Sequence, residues 1–396
     1  MKMTKRIPAL LLAAVMIVAL LAGCGGSDSN TNANSSANAN TSAAPSAAPS
    51  AAPSAAGTSP AAPPASSGQT SQAPPPADDG KVYTMRLGAI AAPPTAQAMF
   101  ILELVDIIGE ATNGRIAVEA YHSGTLGTVV QMVEGLQQGT VAGVAVPANF
   151  YESNVPELGV LALPMFFDDH EQLYRICNTP GNGFHEMLND FLAPKGFVAG
   201  VWSVAFPMLL ISNKSLVTIA DFNGTKIWSQ PNAQIANAFK ALGAIPVNFD
   251  TGDLAVGLQQ KTIDAAYSSP QLFGPMKLHD TAKYMFVFST PMHSSVNPLM
   301  LSKAFMDSLP ADLQETVIAT LRKADVDVYY DLAYGSQNRS FPEMTNADGM
   351  SVVYTDDAMT AELRQIMAPL YEEFLNNVPS ARPLYEKAAE LIAAGY

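Results

Sequence analysis

The chain has 396 residues, 48% of them hydrophobic and only 14% charged, with a formal net charge of −14 at pH 7. That balance lacks the basic footprint that phosphate binding needs and excludes nucleic acid as a partner. Only two cysteines are present, Cys24 and Cys177, and the second reads as a small buried hydrophobe.

The first residues carry Lys2, Lys5 and Arg6, and residues 7–21 are almost wholly apolar, the order of an export signal. The run falls short of the roughly 20 residues that span a bilayer. It closes on Leu21-Ala22-Gly23-Cys24, which resembles the bacterial lipobox. The resemblance implies a signal peptide over 1–23 and a diacylglycerol on Cys24; the alternative is an ordinary signal peptide that holds a cysteine. Residues 25–80 contain no lysine, arginine or aromatic residue and repeat Ala-Ala-Pro-Ser three times over 43–54. Such a segment cannot bury enough apolar surface to offset its ordering entropy. With Cys24 it is expected to be a disordered tether, 24–80, kept partly extended by its prolines.

From Lys81 the pattern changes. Residues 82–88 alternate as a strand, and 95–112 show helical spacing through Phe100, Leu104, Ile107 and Ile108 before Asn113-Gly114. A strand is predicted over 116–121, a helix over 129–138 with Gly139 in the stop position, and a buried strand over 141–146. After Gly200 the grammar repeats: strand 208–212, turn 221–224, strand 226–229, helix 234–242, strand 245–248, helix 253–260, strand 265–267. The alternation predicts an α/β fold with parallel pairing, in two lobes rather than one core. Residues 310–338 form one helical pattern, with Leu313, Val317, Leu321, Val328 and Leu332 on one side and Pro310 allowed at its start. At about 1.5 Å per residue it reaches roughly 40 Å, long enough to lie across both lobes.

Enzyme motifs are incomplete. His170-Glu171 and His185-Glu186 begin like a zinc-protease helix but lack the second histidine one turn on. Gly181-Asn182-Gly183 has neither a third glycine nor a preceding strand, so it is not a dinucleotide loop. There is no Gly-x-Ser-x-Gly elbow and no phosphate loop. No cofactor or metal is expected, and the chain reads as a non-enzyme.

Several segments together resemble the substrate-binding proteins of the tripartite ATP-independent periplasmic (TRAP) transporters, of the dicarboxylate type. They are Ser123-Gly124-Thr125-Leu126-Gly127, Glu134-Gly135-Leu136-Gln137-Gln138-Gly139-Thr140-Val141, Leu163-Pro164-Met165-Phe166-Phe167, Asp221-Phe222-Asn223-Gly224-Thr225-Lys226-Ile227, Ala241-Leu242-Gly243-Ala244 and Leu258-Gln259-Gln260-Lys261-Thr262-Ile263-Asp264-Ala265. Each is weak alone, but their order and spacing behind a lipobox are specific. The resemblance implies a two-lobed periplasmic-binding-protein-like α/β fold with a long bridging helix, one lobe from 81–205 and 292–333 and the other from 206–291 and 334–396. It also implies an extracytoplasmic receptor that closes on a small organic solute, delivers it to a membrane permease, and is held to the bilayer through Cys24. A sensor subunit reporting to a signalling partner is the alternative.

The departure from the family lies in the expected cleft. Where relatives carry an arginine after Gly-x-Lys-Ile, whose planar fork holds a carboxylate, this chain has Trp228. A second arginine of some members aligns with Met208, and an asparagine with Ser269. A buried anion without a partner is costly, so a simple C4-dicarboxylate is not the expected ligand. Trp228 reads either as core, with another cation holding an acid, or as a pocket wall offering a π face with Trp202, Phe166 and Met208 around it. The wall suits an aromatic, apolar or cationic ligand, with Asn232, Thr251 and Ser269 for polar contacts.

Overall fold

The computed structural model describes residues 80–396, so the export signal, Cys24 and the Ala/Ser/Pro tether lie outside the described residues. The chain first lays down β1 (Tyr83–Ala89), α1 (Ala96–Ala111), β2 (Ile116–Tyr121), α2 (Val129–Gln138), β3 (Gly143–Ala145), α3 (His170–Asn178), α4 (Phe184–Leu192) and β4 (Phe197–Pro207). It then builds β5 (Leu209–Ser212), β6 (Lys226–Ser229), α5 (Ala233–Ala241), β7 (Ile245–Val247), α6 (Leu254–Gln259), β8 (Ala265–Ser268), α7 (Pro270–Phe273), α8 (Leu278–Thr281) and β9 (Tyr284–Val287). It closes with β10 (Ser294–Ser302), α9 (Lys303–Asp307), α10 (Ala311–Ala324), α11 (Tyr330–Thr345), β11 (Ser351–Tyr354), α12 (Asp357–Asn377) and α13 (Arg382–Ala393).

Local chemistry sets these bounds. Helix α2 starts at a capping box in which Thr128 and Gln131 satisfy each other's backbone N–H groups, and it stops at Gly139, whose φ of 77° suits glycine. Its register against β1 depends on Gly88, where an added Cβ would sit 2.8 Å from the Met132 sulfur.

Two mixed sheets result, in the orders β2-β1-β3-β10-β4 and β11-β9-β5-β8-β6-β7. The βαβ units pair in parallel, β1 with β2 and β3, and β6 with β7 and β8. The expectation of parallel pairing fails at the crossings, since β10 is antiparallel to β3 and β4, and β5 to β8 and β9. The strand that leaves a lobe must run against the one that returns. Met208 alone separates outgoing β4 from β5, and Ser294 at the start of returning β10 stands opposite Pro207.

Each sheet is covered on both faces. The first has α1 and α10 on one side, and α3, α4 and α13 with Trp202 and Phe197 on the other. The second has α5 and α12 on one side and α6, α7 and α8 on the other. Helices α10 and α11 form one rod, joined by a π-helical turn at Asp325–Tyr329. The rod runs from 311 to 345, roughly 50 Å at about 1.5 Å per residue. Leu313, Val317 and Leu321 bury it in the first lobe and Met344 in the second, which makes it the bridging helix. Helix α12 bridges as well, with Leu363 and Met367 in the second lobe and Phe374 and Leu375 in the first. The assignment of all of 334–396 to the second lobe is corrected at α13, whose Leu384, Ala388 and Leu391 pack in the α3/α4 core of the first. An apolar stripe shows that a helix has a partner but not which one.

Candidate functional site

Where the lobes meet, three adjoining cavities form a seam that shares lining residues. One lies between Asn149 of the first lobe and Met208, Ser229, Asn232 and Tyr267 of the second, with His293 and Ser295 from the returning crossing. The next shares Asn149, Asn232, His293 and Ser295 and adds Glu152. The third is bounded by Glu152, Gln234 and Glu373 among others. In that order they hold about 20, 10 and 230 Å³. The two small volumes are about that of a single water, too small for an organic solute as they stand.

The lining side chains are held from both sides. Asn232 caps α5, its Oδ1 accepting from the Ile235 N–H at 3.0 Å, and thereby fixes the loop after β6. Asn149 reaches across to that loop and donates from Nδ2 to the Pro231 carbonyl at 2.9 Å. Tyr267 stands edge-on to Phe239 and Phe288, with centroids 5.1 and 6.1 Å away. Its hydroxyl and His293 Nδ1 are both buried without a hydrogen bond of ordinary geometry. Burial lowers the His293 pKa to about 4 and keeps the ring neutral, so the ring offers one donor and one acceptor. Burial also pushes Glu152 up to about 7, against a hydrogen bond from Gln234 that favours its charged form. Among the described residues no lysine or arginine lines any of the three cavities, and the formal charges there belong to Glu152 and Glu373.

Of the residues singled out in the sequence, Met208 and Asn232 meet on this lining. Trp228 is 2% exposed and packs with Leu254, Leu258, Phe273 and Met285, its indole N–H donating to the Phe249 carbonyl at 2.9 Å. Alternation along β6 sends Ile227 to one face of the sheet and Trp228 to the other. Trp202 is fully buried in the first lobe. Phe166 stacks on Tyr385, centroids 4.9 Å apart, on the rim of the same core. Thr251 is exposed in the turn Thr251–Asp253, and Ser269 is the N-cap residue of α7. Asn149, Glu152, Ser229, Tyr267, His293 and Ser295 were not anticipated. The available signal was positional: Asn149 and Ser229 lie at or just past the carboxyl ends of strands, where ligands of α/β sheets gather.

The histidines of the two His-Glu pairs have protein partners. His170 Nε2 and the Tyr334 hydroxyl are 2.5 Å apart, and His185 Nδ1 is 2.7 Å from the Cys177 carbonyl.

Two α/β lobes, joined by the strand crossings and the bridging helices and meeting at a polar seam, define a bilobed solute receptor. The sequence profile of bacterial extracellular solute-binding protein family 7, DctP, matches residues 87–377, and the chain belongs to that family. It is therefore a solute-binding component of the TRAP type, a class that works with a membrane permease. The 2,3-diketo-L-gulonate-binding periplasmic protein YiaO of Escherichia coli is 23% identical over 311 residues, 78% of this chain and 92% of that one. The C4-dicarboxylate-binding periplasmic protein DctP of Rhodobacter capsulatus is 24% identical over 308 residues, 77% and 90% of the two chains. In fold, the chain is similar to the crystal structure of a TRAP periplasmic solute-binding protein from Ochrobactrum anthropi, described with a C-terminus bound in the ligand-binding pocket. The TM-score is 0.72 at 20% identity, covering 79% of this chain and 97% of that one.

Proposed function

We propose that this receptor is tied to the outer face of a membrane by a lipid on Cys24, collects a small polar solute that is neutral or cationic, and hands it to a TRAP permease. The observation that carries the ligand class is the charge of the seam. Among the described residues Glu152 and Glu373 line it and no lysine or arginine does, whereas a buried carboxylate ligand needs a compensating positive partner. Asn149, Ser229, Asn232, Tyr267, His293 and Ser295 supply hydroxyl, amide and imidazole groups suited to a hydroxyl- or amine-bearing solute. The work is binding and release, without a chemical step. The comparisons lend the sensor reading no support.

Thermal unfolding of the purified protein with succinate and malate, set against a panel of polyols and primary amines, tests the ligand class. A ligand that binds only the folded state raises the melting point by mass action. A rise with amines or polyols alone supports the reading. Tight titration of succinate or malate, weakened by Asn232→Ala, refutes it. The anchor is tested separately with Cys24→Ala, which should release a protein that still binds its solute but no longer supports uptake, because the tether raises the local concentration of receptor at its permease.

A further inference from the structure

Away from the seam, the π-helical turn of the bridging helix borders a cavity of about 280 Å³ that family membership leaves unexplained. Four tyrosines line it, Tyr174 from α3 and Tyr329, Tyr330 and Tyr334 from the helix, together with His170 and the carboxylate-bearing Asp325. Asp325 is 2% exposed and accepts from the Ser203 hydroxyl of β4. Tyr330 and Tyr334 stack with centroids 3.7 Å apart, and Tyr329 is braced from behind by Phe100, edge-on at 5.4 Å.

The charges around this cavity have one sign in excess. Glu171 and Asp325 line it, and among the described residues the lining has a single arginine or lysine, Arg175, which pairs with Glu171 at 3.9 Å and donates to the Tyr396 backbone oxygen at 3.3 Å. Burial lowers the pKa of His170, which leaves that ring uncharged at neutral pH. Aromatic faces attract cations through their quadrupole, and more strongly where water is excluded. An acidic cavity walled by tyrosine is thus poor for an anion and well matched to an organic cation. The volume suits a small molecule rather than a peptide.

We infer that the cavity between α3 and the π-turn of the bridging helix is a second binding site, separate from the seam, that takes a small organic ammonium ion against Tyr174, Tyr329, Tyr330, Tyr334 and Asp325. The site is lined from the first lobe and from the helix that joins the lobes. None of its lining residues lines the seam.

Tetramethylammonium chloride is the probe, titrated into the purified protein by saturation-transfer NMR with sodium chloride as the control. The expected result is saturable binding that weakens about tenfold in Asp325→Asn and about three- to tenfold in Tyr330→Leu, and is unchanged in the seam variant Glu152→Gln. Tyr330 is 47% exposed, so its replacement keeps the test usable if Asp325→Asn folds poorly. No saturable binding, or binding equal in the parent and Tyr330→Leu, overturns the inference. So does binding lost in Glu152→Gln, which would place the cation in the seam.

Discussion

Trp228 separates two physical pictures of the second lobe, and replacing it distinguishes them. In the structure its indole is enclosed by Leu254, Leu258, Phe273 and Met285, and its N–H is the hydrogen-bond donor to the Phe249 carbonyl. Trp228→Phe keeps most of the volume but leaves that carbonyl without its donor, a cost of about 1–3 kcal/mol. Trp228→Ala also opens a cavity and should cost about 3–5 kcal/mol. Trp228→Arg puts a guanidinium among hydrocarbon and should cost at least as much as the alanine variant, with no gain in carboxylate binding. Against a total stability of about 5–15 kcal/mol, the alanine and arginine variants would be severely weakened. Urea unfolding of all three reads these differences as shifts in midpoint at constant slope. If Trp228→Ala lay within about 1 kcal/mol of the parent, or Trp228→Arg stayed folded and bound succinate, the ring would be a wall of the ligand cleft and the reasoning from burial would fail.

Three further outcomes follow from the same structure. Glu152 ordinarily ionises near 4.5 and is raised to about 7 here; below pH 4.5 it is protonated in both states, and between there and pH 7 the unfolded chain ionises first. Stability should therefore fall over that window by up to about 3 kcal/mol, and a pH series of urea midpoints should lose that slope in Glu152→Gln. Gly159→Ala would place a methyl 2.5 Å from the Phe374 ring and 2.6 Å from the Gln234 amide, and thermal unfolding should show a loss of about 1–3 kcal/mol from overpacking. Cys177 is fully buried, and burial pushes its thiol far above the ordinary range. A colourimetric thiol reagent should find it unreactive until the protein unfolds, and fast labelling of the native protein would contradict its placement.

Much of the fold could be read from local patterns. The bounds of β2, α2 and β6 agree residue for residue with the alternation, the capping residues and the glycine stops. The long apolar stripe from Leu313 to Leu332 announced the bridging helix, although not the π-turn inside it. Those features depend on side chains within a few residues of one another, which is why a linear pattern contains them. Residues 197–207 and 294–302, the two crossing strands, were not read as strands, since their hydrogen bonds are made to each other across almost a hundred residues.

By itself the sequence determined the two α/β lobes and the family. Only the tertiary structure decided which side chains face the seam. A shift of one residue along a strand reverses its two faces, so Trp228 packs with α6, α7 and α8 while Tyr267, on the neighbouring strand β8, and Met208, just before β5, line the seam. The partners of α13, the burial of Asp325 and the gathering of four tyrosines around the π-turn depend likewise on contacts distant in sequence, and no spacing along the chain specifies them.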